Sequence, residues 1–169
     1  EADDDIINSL VLSAALDIQQ VAVVAALRGH LVQLMPDAAP LLLTDMLNRH
    51  AAVTARLYRM FEARHRPAMP STYTAQVRLE FDKGMESVKS LTDDRWFRAL
   101  AELVESSLRT NAYARDPWDP VAIKINPSKL SYVPKPVPYR EIFVHGVHVE
   151  GVHLRGGPIS RGGLRYSDR

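Results

Sequence analysis

The hydrophobic period of this chain changes once, at the cluster Asp116-Pro117-Trp118-Asp119-Pro120. Ahead of it, apolar residues recur at steps of three and four, the spacing that lines one face of a helix. Beyond it they alternate, the spacing of strands with one covered face. Such a chain is expected to place its helices first and its sheet second. The class is therefore α+β: an N-terminal helical region followed by a short, incomplete β-sheet, because two or three strands do not easily stand alone.

The helical part divides at its caps and prolines. Leu10, Val11 and Ala14 begin an apolar face. Asp17-Ile18-Gln19-Gln20 reads as a capping box, with Asp17 accepting from exposed backbone N–H groups and Gln20 reaching back. The helix it starts is expected over Ile18–Leu34, with Val21, Val24, Leu27, Leu31 and Leu34 on its apolar side. Pro36-Asp37 ends it, and Pro40 suits the first turn of the next helix, which carries Leu43, Met46 and Leu47. His50 marks a joint before a helix near Ala51–Arg64, with Val53, Leu57, Met60 and Phe61 inward, closed by Pro67 and Pro70. A helix over Thr72–Lys89 follows, weakened by Gly84. Thr92 is expected to cap the last helix, Asp93–Tyr113, whose stripe is Trp96, Leu100, Leu103, Val104 and Leu108. Asp93 and Asp94 suit the positive end of its dipole.

After the turn cluster, Val121–Ile125 reads as a strand, and Asn126–Pro138, with Pro127, Pro134, Pro136 and Pro138, as an extended linker with little regular hydrogen bonding. Glu141–His145 and Val147–Leu154 read as two strands with Gly146 at their turn. The expected organisation is a helical region over 1–115, a Pro-rich linker with a short strand over 116–138, and the start of a further domain over 139–169. The chain stops inside the dense segment Arg165-Tyr166-Ser167-Asp168-Arg169 without a polar tail, which predicts a cut through a longer polypeptide.

Composition removes several functions. A formal net charge of +1 projects no field toward nucleic acid or an anionic membrane. The absence of cysteine excludes disulfide scaffolds and thiolate metal sites and fits a reducing compartment. No stretch approaches the roughly 18 apolar residues of a membrane span, and the acidic opening Glu1-Ala2-Asp3-Asp4-Asp5 is unlike a secretory signal, so a soluble cytoplasmic protein is expected.

The residues that point to chemistry lie at Arg155-Gly156-Gly157-Pro158-Ile159-Ser160-Arg161-Gly162-Gly163-Leu164-Arg165-Tyr166. Glycine lets a backbone approach a ligand closely, and arginine offers a planar fork that matches a carboxylate or phosphate. The segment reads either as an anion site or as a flexible turn with solvated charges. It is not a dinucleotide fingerprint, since the glycine spacing differs and no strand–glycine loop–helix unit surrounds it. His145, His148 and His153 do not share one strand face, so no metal site is expected. His30, His50 and His65 read as helix-surface or packing residues, Trp96 and Trp118 as core or joint packing, and the Arg56–Arg66 cluster as a solvated face or a contact with another domain.

Val149-Glu150-Gly151-Val152-His153-Leu154-Arg155, then Gly157-Pro158, then Arg161-Gly162-Gly163-Leu164-Arg165-Tyr166-Ser167-Asp168-Arg169 together resemble a motif of the large, multi-domain, NAD-specific glutamate dehydrogenases. Leu108-Arg109-Thr110-Asn111, Lys124-Ile125-Asn126-Pro127 and Glu141-Ile142-Phe143-Val144 resemble other blocks of that family. Similarity reaches back to Val21–Leu31 and Phe61-Glu62-Ala63-Arg64, so it covers most of the chain, with its specific motifs in the final third. The smaller glutamate dehydrogenases carry a similar Lys-Gly-Gly segment whose lysine binds the side-chain carboxylate of glutamate. By position that role falls on Arg161, which stays protonated and so favours binding an anion over proton transfer.

The resemblance implies reversible oxidative deamination of glutamate to 2-oxoglutarate and ammonia by a homo-oligomeric full-length enzyme. Arg161, Gly162, Gly163 and Arg165 would contact the substrate. The catalytic lysine and aspartate, and the domain that binds NAD, would lie outside this chain. Leucine and phenylalanine dehydrogenases are similar around the Gly-Gly but carry an apolar residue before it, so Arg161 favours a dicarboxylic substrate. A non-catalytic helical module for regulation or assembly is the alternative, with the Gly/Arg segment as an ordinary linker.

Overall fold

The computed structural model describes residues 5–158. A 3-10 turn, Ile6–Ser9, leads into the helices α1 (Leu10–Ser13), α2 (Ile18–Leu34), α3 (Pro40–Arg49), α4 (Ala51–His65), α5 (Ser71–Met85) and α6 (Leu91–Ser106). The strands β1 (Ser107–Thr110), β2 (Val121–Ile125), β3 (Arg140–Gly146) and β4 (Val149–Arg155) follow. They form one antiparallel sheet in the order β1-β2-β3-β4. The α+β class and the order of helices before sheet are borne out, with four strands in place of two or three.

Helix α2 organises the rest. Its capping box forms as read: Gln20 N donates to Asp17 Oδ1 at 2.9 Å, and Asp17 N donates to Gln20 Oε1 at 3.0 Å. Val21, Val23, Val24, Ala25, Ala26, Leu27, Gly29, His30 and Leu31 are all buried. A helix apolar on nearly every side belongs in the interior, and α2 packs against α3, α4, α6 and the inner face of the sheet. One core runs from Ile7 to Phe143, so helices and strands share a single apolar interior.

The inner face of the sheet carries Val121, Ile123 and Ile125 of β2 and Glu141, Phe143 and His145 of β3. Gly29 lets α2 come down onto it: a Cβ there would sit 3.2 Å from Phe143 Cζ and 2.9 Å from Glu150 Oε2. Beside it, His30 Nε2 shares a 2.8 Å hydrogen bond with Glu141 Oε1, and His30 meets the Phe143 ring edge-on at 5.4 Å. The two side chains are 2% and 6% exposed, so each is the other's replacement for water.

Four local expectations need correction. The last helix ends at Ser106, not Tyr113, because residues 107–110 pair with β2 through Arg109↔Lys124 and Thr110↔Ile123. Leu108 continues the helical spacing by coincidence and is 39% exposed. That helix is capped by Ser90, whose hydroxyl accepts from Asp93 N at 3.2 Å, rather than by Thr92. The preceding helix stops at Met85 instead of reaching Lys89, and its chain turns through Ser87 N donating to Gly84 O at 3.1 Å. Gly146 is not in the hairpin turn, which is Val147-His148; it pairs with Val149, and a Cβ on it would lie 3.2 Å from Pro120.

Trp96 is buried as expected, whereas Trp118 is 70% exposed. The Pro-rich stretch contains a 3-10 turn, Pro127–Lys129, and lies along α6: Ser131 N and Oγ donate to Glu102 Oε2 at 3.0 and 2.8 Å, and Tyr132 OH to Ala99 O at 3.2 Å. Within the Arg56–Arg66 cluster, Arg59 and Arg66 pair with Glu80 and Glu62, while Arg64 Nε donates to Ser107 O at 2.7 Å. His65 Nε2 lies 2.6 Å from Ser107 Oγ, so the end of α4 clamps the point where α6 becomes β1.

Burial, reinforced by the Arg64 charge, lowers the His65 pKa from 6.5 to about 4. His65 is thus a neutral packing partner at pH 7. A base depressed in the folded state contributes stability that is fully present above its unfolded pKa and is lost as pH falls through the folded one. The difference in unfolding free energy between native protein and His65→Gln should therefore shrink by about 1 kcal/mol as pH falls from 6.5 to 4, solvent screening reducing the nominal effect. Denaturant titrations across that window check it. His30→Ala should cost about 3 kcal/mol by stranding the buried Glu141 carboxylate. Adding Glu141→Leu should restore much of the loss in a double-mutant cycle.

Candidate functional site

Arg161, Gly162, Gly163 and Arg165 lie outside the described residues, and what is visible is the strand that leads to them. β4 runs from the hairpin turn to Arg155, followed by Gly156, Gly157 and Pro158. Around Gly156 and Gly157 a Cβ would meet nothing within 4 Å among the described residues.

Two guanidinium groups stand at this end of the sheet. Arg140 and Arg155 are cross-strand partners on β3 and β4, which puts both side chains on one face. Arg140 donates to Asn126 Oδ1 at 3.1 Å and lies over the Tyr139 ring at 4.2 Å. Arg155 makes a long 3.4 Å contact to Pro158 O, and its buried Nε has no partner among the described residues. Neither forms an ion pair among the described residues. Like charges placed directly opposite repel, and an anion bound near them would relieve that repulsion. The sequence carried no sign of this pair, because Arg140 and Arg155 meet only through the β3–β4 register.

A polar network anchors the same hairpin to α2. Gln33 Nε2 donates to Glu150 Oε1 at 2.8 Å, and His145 Nδ1 shares a 2.9 Å hydrogen bond with Glu150 Oε2. Burial works to raise the Glu150 carboxyl, but the hydrogen bonds from Gln33 and His145 and the charges of His145 and Arg28 outweigh it and hold it below the usual carboxylate range. Arg28 reaches Asp5 at 3.1 and 2.6 Å and Thr44 at 2.6 Å, joining the N-terminal turn and α3 to the same helix. Reading His30 as a packing residue is borne out by its burial; what the reading missed is its acidic partner 111 positions away.

The described residues do not build a dinucleotide site. Their strands are all antiparallel, and no strand–glycine turn–helix crossover is present among them to set a helix N-terminus against a pyrophosphate. Among them no three His, Cys, Asp or Glu side chains converge to hold a metal ion. His153 pairs with Ile142 and so faces away from His145, while His148 sits in the turn. No helix among the described residues is long and apolar enough to cross a membrane.

Comparison with known proteins adds a family to this geometry. The family described as bacterial NAD-glutamate dehydrogenase, catalytic domain, matches residues 80–169, and that described as glutamate dehydrogenase, helical motif 3, matches residues 2–67. The NAD-specific glutamate dehydrogenase of Halomonas elongata is 39% identical over 100% of this chain, and that of Pseudomonas aeruginosa 36% over 100%. The Mycobacterium tuberculosis protein of the same name is 37% identical over 98%. The chain spans 11% of the length of each of these relatives. The resemblance read from the β4 segment and its upstream blocks is thereby borne out: this chain belongs to the bacterial NAD-glutamate dehydrogenase family.

Proposed function

We propose that this chain works as part of an NAD-dependent glutamate dehydrogenase catalysing reversible oxidative deamination of glutamate to 2-oxoglutarate and ammonia. In this reading the full-length enzyme is a cytoplasmic homo-oligomer. The observation that carries the proposal is the catalytic-domain match over residues 80–169, a span that includes the Gly/Arg segment. The names of the relatives, each an NAD-specific glutamate dehydrogenase, support the same reaction class.

Within that enzyme the chain binds and orients. Arg161 holds the distal carboxylate of glutamate with a fork that cannot lose its proton near neutral pH. Gly162 and Gly163 let the backbone approach, and Arg165 adds a second positive charge. The Arg140–Arg155 pair at the head of the segment favours anions arriving there. The lysine and carboxylate that move protons, and the domain that binds NAD, belong to sequence outside this chain. The 169-residue chain alone is then a carboxylate-binding portion without turnover.

Two measurements test this division of labour. The isolated chain should show no NAD-dependent oxidation of glutamate; clear turnover would refute the assignment of the catalytic groups elsewhere. In the full-length enzyme, Arg161→Ala should raise KM for glutamate about 10- to 100-fold, the worth of a charge-assisted hydrogen bond. Arg161→Lys should recover part of it through its point charge. Unchanged KM and kcat in Arg161→Ala would remove the carboxylate role.

A further inference from the structure

The outer face of the sheet, turned away from α2, is not patterned for water. An antiparallel sheet covered on one side alternates apolar residues inward and polar residues outward. β3 departs from this: Glu141 and His145 point toward α2 with Phe143, while Ile142 and Val144 point outward and are half-buried. Ala122, the β2 partner of Val144, widens the same aliphatic strip. Strands apolar on both sides belong to sheets with a layer on each face.

Two cations stand beside that strip. Arg109 of β1 is directly opposite Lys124 of β2, and Lys124 is opposite Ile142 of β3, so one row across three strands carries all three on the outer face. The register thereby joins the 108–111 and 124–127 blocks. Like charges placed directly opposite repel. Arg109 is exposed and Lys124 half-buried, and neither forms an ion pair among the described residues. Arg49, Arg59, Arg78 and Arg98 of the helical part, by contrast, each hold a carboxylate. The four strands supply none to the outer face, since their acids, Glu141 and Glu150, lie on the inner one. Residues 159–169 contain three arginines and one aspartate, so their net charge is positive as well.

We propose that this outer face is the docking surface for an acidic segment of the same enzyme that lies outside this chain. A carboxylate of that segment sits between Arg109 and Lys124, and its aliphatic side chains cover Ala122, Ile142 and Val144. The chain spans 11% of the length of its relatives, so an enzyme of that size has ample polypeptide elsewhere to supply the cover. A small free anion fits less well, because it would leave the aliphatic strip bare. Nucleic acid also fits less well: two cations offer few phosphate contacts, and the strip has no aromatic ring for a base to stack on. The Arg140–Arg155 pair borders this surface and keeps the role given above. The proposal does not rest on the assignment of Arg161.

The test is zero-length carbodiimide cross-linking of the full-length enzyme, read by peptide mass spectrometry. Lys124 should form an amide with an Asp or Glu outside residues 1–169. In the same native enzyme Lys124 should be acetylated about ten-fold more slowly than the exposed Lys129 and Lys135, because a covered, paired ammonium reacts only when the contact opens. Ala122→Trp leaves both cations in place and puts bulk on the docking surface. It should lose the cross-link and bring Lys124 acetylation up to the rate of Lys129. Should that variant fail to fold, the two measurements on the native enzyme decide alone. No cross-link from Lys124, a cross-link only to residues 1–169, acetylation of Lys124 as fast as that of Lys129 and Lys135, or a cross-link that persists in Ala122→Trp would overturn the proposal. So would a single-stranded oligonucleotide retained by the native enzyme and released by Arg109→Gln, which would give the face to nucleic acid. Glutamate turnover is read separately and bears only on the role of Arg161.

Discussion

The seating of α2 on the sheet is the contact on which the rest of this structure depends. A helix buried on nearly all sides needs a cover for each of them, and the last cover is the face formed by β2 and β3. Gly29 removes the side chain that would hold the two apart, and Phe143 fills the space. The same close approach traps His30 and Glu141 out of water, so their hydrogen bond becomes obligatory. Exchange of either partner acts on the helical part and the sheet at once, because both share one core.

That seating also positions β4, the strand that precedes the proposed anion-binding segment. Glu150, on β4, is held from α2 by Gln33 and from β3 by His145. The hairpin therefore leaves the helical body in a defined direction and carries Arg155 beside Arg140. A rigid strand would support the proposed carboxylate-binding segment better than a free loop, since positioning is most of what such a residue contributes. The helices act here as a foundation for the sheet, and the anion-binding role proposed above falls on the segment that follows β4 in the chain.

Much of this was legible in the residues. The Asp17–Gln20 capping box sets the start of α2 through local hydrogen bonding, and the fixed φ of Pro40 sets that of α3; both starts follow from neighbouring residues alone. The strand at Val121–Ile125 was legible because alternation survives when one face is covered. β1 was not, since Leu108 prolongs the spacing of α6 and only pairing with β2 turns Ser107–Thr110 into a strand. Ser90 does not stand out as the cap in the sequence, because Thr92 and the two acids after it form an equally good local signal. The Gly/Arg segment was legible as an anion-binding candidate by residue type, and its family by motif, while the Arg140–Arg155 pair beside it was not.

The sequence by itself determined the class, the order of helices before strands, the main helix starts and the family, because each depends on neighbours a few residues apart or on a contiguous motif. Only the tertiary structure decided which groups meet across long separations: His30 with Glu141, Gln33 with Glu150, and Arg140 with Arg155. The physical reason is that these partners are chosen by sheet register and by the depth to which α2 sinks. Both are set by packing the whole core at once, and no local stretch of the chain records them.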